Sequence, residues 1–507
     1  MTKLGRSEFI RTTAMALASV AFVPKLLFGK DVSSALPEPE TTGPATVPIS
    51  EFGIVDLHCH PSLKMYLWGK KIWKHGHSSP GINLVTMQYT VEELASGNVK
   101  GFLNAHYLLE AALTRESANL KGLLPLIKRF CVDLANKVEH ENDRNIDQIY
   151  DMMNLLEHQI EIANQKQDKV KLVIAKDFAQ FEQTLKESNI PVVHAIEGAH
   201  ALGRNFPITR KGNQVPRQIK QSDCEKGCAV PLDPQPFLDN LEKLAKSGVC
   251  LMSLGHFFRN DIVFPPEGIS PDGKNLLQFF WAYTPDQNLP LTDIGKIVVA
   301  RMLDIGMIVD LTHSTPRARK DVFDLNRRRQ DEGKKMRPLT FTHTGAKCIF
   351  EKYEACNQNA YDNYKFYDAC DEEIDWICEC EGTIGIIPEN FWLIGCDPAL
   401  NKGGEYKNGI DFIVETILYI NSKTRTQKYD NISIGTDFDG LADAPKDLYK
   451  PSQLNKLIDV LRSKIGDDYT RKITSGNALR LLRYGWGIQV DRASSTVTSP
   501  VSRSKIV

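Results

Sequence analysis

DIGKIVVARMLDIGMIVDLTHS, residues 293–314, is the stretch whose reading decides the fold. As far as Gly306 it has helical periodicity, with glycine just after the last periodic residue, a helix-stop signal. GMIVDLTHS (306–314) then follows. It is a near-continuous apolar run, as expected for a parallel strand buried on both faces, and it ends in His313. The same alternation recurs along the chain. Further runs are GIVDLHCH (53–60), VKGFLNAHY (99–107), PVVHAIEGAH (191–200), VCLMSLGHF (249–257), PLTFTHTG (338–345), GTIGIIPEN (382–390) and ISIGTDFDG (432–440). FLDNLEKLAKSG (237–248) is a second helical pattern stopped by glycine before a strand. Alternating strands and helices imply right-handed βαβ units, and eight of them close into a (β/α)8 TIM-type barrel. A doubly wound open sheet is the alternative, but it leaves unexplained why so many strands end in His, Glu or Asp.

The 507 residues are 42% hydrophobic and 25% charged, with 62 Lys plus Arg against 63 Asp plus Glu. These are ordinary globular values, and nothing in them points to a nucleic-acid partner. Residues 1–30 have a basic start and an apolar core from Thr13 to Val23, too short to span a bilayer and shaped like an export signal. GRSEFIR resembles a twin-arginine signal with Ser7 in place of the second arginine. The expectation is an exported, periplasmic or secreted protein by either route, with any membrane association confined to the N-terminus. Residues 31–50 read as a disordered linker, 51–490 as the barrel and 491–507 as a disordered tail. Two stretches exceed normal barrel loops, 61–97 and 107–190. They are expected to form helical insertions after the first and second strands that cover part of the barrel mouth. A homodimer is compatible with this reading. Eleven cysteines define no disulfide framework. Cys224 and Cys228 are candidates to pair, and the crowd at Cys348, Cys356, Cys370, Cys378 and Cys380 reads mainly as free thiols.

The strand ends supply His58, His60, Glu197, His256, His313, His343 and Asp437. Five of the chain's 12 histidines cap predicted strands, which favours convergence on one site. Imidazoles and a carboxylate suit Zn²⁺ and similar divalent ions. The set exceeds one tetrahedral site, so two metals bridged by Glu197 is the economical arrangement. Such a pair generates hydroxide at neutral pH; Asp437 is placed to shuttle its proton and His256 to donate to an oxyanion. Several neighbours take a plainer reading. His75 and His77 are exposed loop residues, and His106 packs in core or loop. His194 faces the helix layer, His200 is a bystander, and Asp439 caps a following helix. Arg259 and Asn260 line the site as loop residues.

The ordered set IEGAH (196–200), SLGHFFRND (253–261), DLTHS (310–314), FTHTG (341–345), GTDFDG (435–440) and SGNALRLL (475–482) resembles the membrane (renal) dipeptidase family of zinc metallopeptidases. The resemblance runs from about residue 53 to residue 485. It implies a (β/α)8 barrel, a site for two Zn²⁺ and cleavage of dipeptides. It also implies Glu197 as the bridge, His58 on the first metal, His313 and His343 on the second, His256 at the scissile carbonyl and Asp437 at the proton. There are two departures. The family's His-x-Asp is His58-x-His60 here, which keeps a ligand but removes a negative charge and leaves the metal's identity open. The family's carboxylate-gripping arginine is also missing, since no arginine lies between His343 and Arg425. Lys347, Lys352 and Lys365 are the candidate substitutes, as point charges without a fork. The alternatives are therefore an amidohydrolase of another small amide, cyclic amide or lactone and, from another class, a catalytically silent ligand-binding barrel.

Overall fold

The structure, a computed structural model, describes residues 53–76, 78–83, 86–110, 145–166, 170–203, 233–257, 260–266, 287–353, 366–394, 409–440 and 443–487. The expected signal, linker and tail, together with His77, Cys224, Cys228, Arg259, Cys356 and Lys365, lie outside the described residues.

Residues 293–314 show how a unit is built. Thr292 caps the helix Asp293–Ile305, its hydroxyl accepting the Gly295 N–H. Gly306 ends it at φ 72°, and a Cβ there would meet the Gly487 carbonyl oxygen at 2.2 Å. Handedness and space both demand glycine. The chain then enters Ile308–Asp310, fully buried between neighbouring strands.

The strands in chain order are β1 (Ile54–Cys59), β2 (Gly81–Ile82), β3 (Val99–Tyr107), β4 (Leu172–Ile174), β5 (Ile190–Glu197), β6 (Leu251–Ser253), β7 (Ile308–Asp310), β8 (Thr340–Thr344), β9 (Thr383–Ile386), β10 (Ile432–Ile434) and β11 (Asp443–Ala444). The parallel order β3-β1-β10-β9-β8-β7-β6-β5 is closed by β3 pairing with β5. The result is an eight-stranded (β/α)8 barrel whose strands are the eight apolar runs. β2 and β11 form a separate antiparallel pair.

The 107–190 insertion is not wholly helical. β4 lies within it and pairs with Ile190, Pro191 and Val192 of β5. The ladder to β3 begins only at Val192, so the first residues of β5 need another partner, and β4 supplies it. The helix Asn145–Lys166 buries Ile149, Met152, Met153, Leu156 and Ile160, one helical stripe. It packs on the helix Pro61–Trp68, which follows β1 directly. Among the described residues no helix is long and apolar enough to cross a membrane.

Candidate metal centre

All seven site residues chosen from sequence come from the C-terminal ends of barrel strands. β1 carries His58 and leads into His60, β5 ends at Glu197, and β8 carries His343. His256, His313 and Asp437 each stand three residues past β6, β7 and β10. His313 and Asp437 have left-handed backbone, φ 61° and 50°. That conformation costs about 1–3 kcal/mol for a non-glycine residue and is tolerated where a tight turn must aim a side chain.

Glu197 is the centre of convergence. Its Oε1 lies 3.3 Å from His58 Nε2, 3.3 Å from His313 Nε2 and 3.5 Å from His343 Nε2. Its Oε2 lies 3.3 Å from His60 Nε2 and 3.6 Å from His256 Nε2. Asp437 Oδ1 lies 3.0 Å from His60 Nε2. Burial pushes the Glu197 carboxyl up, but His256, His60, His58 and His313 outweigh it and hold the group well below the usual carboxylate range. Glu197 therefore stays ionised although it is buried. Burial and then His58 drive the His343 imidazole well below its usual range, keeping it in the neutral, ligating form.

The donors suit a divalent cation. His60 Nδ1 lies 2.9 Å from the Ala105 carbonyl, which only accepts, so the proton is on Nδ1 and Nε2 carries the lone pair. His58 Nδ1 lies 3.0 Å from Thr342 Oγ1, whose hydrogen is directed at Asp310, so its Nε2 is also a lone pair. The two Nε2 atoms face each other at 2.9 Å, an arrangement that requires a cation, a proton or a metal ion, between them. His313 Nε2 and His343 Nε2 lie 3.2 Å apart. Two sets of three donors that could hold a metal include Glu197: His58 and His60 with it, and His256 and His313 with it. A third set joins His58 and His343 to Asp310.

Residues 238–485 match the model of the membrane dipeptidase family, peptidase family M19. That match covers just under half of the chain, and over it the chain resembles the membrane dipeptidase family. An uncharacterized dipeptidase of Schizosaccharomyces pombe is 29% identical over 161 residues, 32% of this chain and 32% of that protein. The chain thus spans about a third of that relative's length. Two solved structures share the fold. Dipeptidase AC, a metallopeptidase of family M19, has TM-score 0.56 and 16% identity, over 87% of this chain and 100% of that one. A Rhodobacter sphaeroides metallopeptidase, solved with a phosphinate mimic of L-Ala-D-Ala, has TM-score 0.54 and 14% identity, over 86% of this chain and 99% of that one.

Within this barrel several sequence expectations need correction. Asp439 caps no helix. Its carboxylate accepts the N–H groups of Gln88 and Tyr89, tying the 61–97 insertion to the strand-ten loop. Asn260 organises its own loop, bonded to Ile262 and Val263 N–H and to the Leu254 carbonyl. Lys352 pairs with Glu415, and Lys347 lies over the Phe366 ring. His75 is exposed and pairs with Glu92. His194 does face the helix layer, bridging His106 at 2.8 Å and Glu157 at 3.2 Å. His200 Nε2 bonds the Leu108 carbonyl. Cys348, Cys370, Cys378 and Cys380 are free thiols.

Several residues had no role in the sequence reading. Glu110 is buried; it accepts the Phe257 N–H at 3.1 Å and the Tyr107 O–H at 2.8 Å, and lies 3.3 Å from His256 Nδ1. Tyr107 also packs on the His256 ring at 4.0 Å. Burial works against a charged His256, but Glu197 and Glu110 raise it above the usual imidazole range. On the opposite side Trp392 stacks on His343 at 5.2 Å and on Tyr367 at 5.0 Å. Glu110 lies just past the second run, where position alone could have flagged it. Trp392 sits in a helix after β9 and carried no signal.

Proposed function

We propose that this chain is a metal-dependent dipeptidase. His58, His60 and Glu197 hold one divalent metal, and Glu197, His313 and His343 hold a second, zinc being the ion the donor set suits best. One observation carries the reading: a single buried, ionised carboxylate has one oxygen facing three imidazole Nε2 atoms and the other facing two more. Metal ions so held supply Lewis acidity and acidify a coordinated water. The protein's groups do the rest. Asp437, beside His60 and held by its N–H to the His58 carbonyl at 2.8 Å, takes the proton released on attack and returns it to the leaving amine. His256, whose protonated form Glu197 and Glu110 favour against burial, donates from Nε2 to the developing oxyanion. The aromatic wall of Tyr367 and Trp392 excludes water on the His343 side.

A second reading keeps the chemistry and changes the substrate. Among the described residues Lys352 is already paired and no arginine follows His343 before Arg425, which favours a small amide or lactone without a free carboxylate. The test is a panel of L–L and L–D dipeptides and neutral cyclic amides, with zinc-loaded and chelated protein side by side. Metal-dependent dipeptide turnover, lost together with bound metal in His313→Ala, is the expected result. Turnover of neutral amides alone selects the second reading. Full activity after complete metal removal overturns both.

A further inference from the structure

We propose that the Thr342 hydroxyl is a positioning group shared by the two halves of the metal centre, and that it couples their occupancy. This rests on the two-metal reading above and adds a residue that reading does not use.

Asp310 is buried and its carboxylate is met by five donors: the N–H groups of Thr312 and Thr342 at 3.0 Å, Thr312 Oγ1 at 2.7 Å, Ser253 Oγ at 2.7 Å and Thr342 Oγ1 at 2.6 Å. The single Thr342 hydroxyl hydrogen is therefore directed at Asp310, the shortest of these contacts. The oxygen keeps two lone pairs. Against them stand His58 Nδ1 at 3.0 Å and His343 Nδ1 at 2.9 Å. Both imidazoles must then be Nδ1–H donors, and both present Nε2 lone pairs toward Glu197.

His58 belongs to one proposed metal set and His343 to the other. They come from β1 and β8, which are not neighbours in the barrel, so the hydroxyl spans its interior. An irregularity in β8 between Phe341 and Thr344 lets the consecutive residues Thr342 and His343 reach the same site, where a regular strand would turn them to opposite faces. Both histidines therefore depend on one oxygen. A metal that locks His58 also locks the hydroxyl that orients His343, so the first ion prepares the place of the second.

The test uses the full-length, metal-stripped protein titrated with Zn²⁺ by calorimetry. Wild type should take two equivalents cooperatively. Thr342→Val, which keeps the shape and removes the hydroxyl, should bind both about 10–100-fold more weakly and in separate steps, as loss of an outer partner of a metal ligand does. Thr342→Ser should recover wild-type behaviour. Unchanged affinity and cooperativity in Thr342→Val, or weakening confined to one equivalent, overturns the proposal. Should the valine variant fail to fold, ¹⁵N-histidine spectra of metal-free wild type at alkaline pH decide. Two Nδ1–H tautomers bonded to a hydroxyl support it; an Nε2–H tautomer at His58 or His343 overturns it. Coupled binding of two Zn²⁺ without dipeptide turnover leaves this inference standing while the dipeptidase reading falls, whereas a wild type that binds no Zn²⁺ sinks both.

Discussion

Glu110 shows what a single buried carboxylate does here. Its three partners, the Phe257 N–H, the Tyr107 O–H and His256 Nδ1, approach as donors, and an ionised carboxylate is the side chain that only accepts. Burial raises its carboxyl, but His256, His200 and Tyr107 more than compensate and keep it below its usual range. Glu110→Gln conserves size but points an amide NH₂ at a donor. The expected outcome is a loss in kcat of about 10–100-fold with KM and bound metal little changed, since His256 acts on developing charge and ligates nothing in the proposed arrangement. Steady-state kinetics with metal analysis of the same sample checks this, and a fall in metal content instead would assign Glu110 to the metal centre. The strand-end rule found the histidines because position along a strand is written in the pattern. It did not find Glu110 or Thr342, because which side chains meet across a barrel is not.

At the scale of elements, the helix Pro61–Trp68 is unusual: it is buried from Pro61 to Tyr66, including Lys64. Lys64 donates to the Asn83 carbonyl, and Asp439 and Asp437 face it. Burial nevertheless pulls its pKa down from 10.5 to about 8. Between those values the unfolded chain holds a proton the folded chain has released, so unfolding free energy rises with pH through that window. Below it the folded state bears the full cost of a buried ammonium, about 3 kcal/mol. Lys64→Met should flatten the rise in Tm between pH 8 and 10.5 and stabilise the protein at neutral pH by about 2 kcal/mol, the lost bond to Asn83 offsetting part of the gain. Thermal melts of both proteins across that range decide, and parallel curves would refute the assignment. The short strand β4 belongs to the same scale. Its three residues carry no period long enough to read, and it exists because β5 outruns its neighbour.

For the whole molecule, a centre in which the His58 and His60 lone pairs face each other at 2.9 Å makes the folded state depend on a cation. Metal-loaded protein should melt above chelated protein, with stability growing as the logarithm of free metal, by about 2.7 kcal/mol per site at a hundredfold excess over Kd. Differential scanning fluorimetry over a metal series tests it, and a Tm indifferent to chelator counts against the metal centre. Set against this architecture, the sequence alone was enough for the barrel and for which histidines and carboxylates stand at its strand ends. Buried parallel strands are continuous apolar runs, helices stop at glycine, and active-site residues crowd strand ends; all three are local signals. What only the tertiary structure decided is the set of partners. Asp439 serves the insertion rather than a helix, Glu110 serves His256, and one threonine hydroxyl serves histidines on strands that do not pair with each other. Those contacts join residues that closing the barrel brings together, some of them hundreds of positions apart in the chain, and no periodicity along it records them.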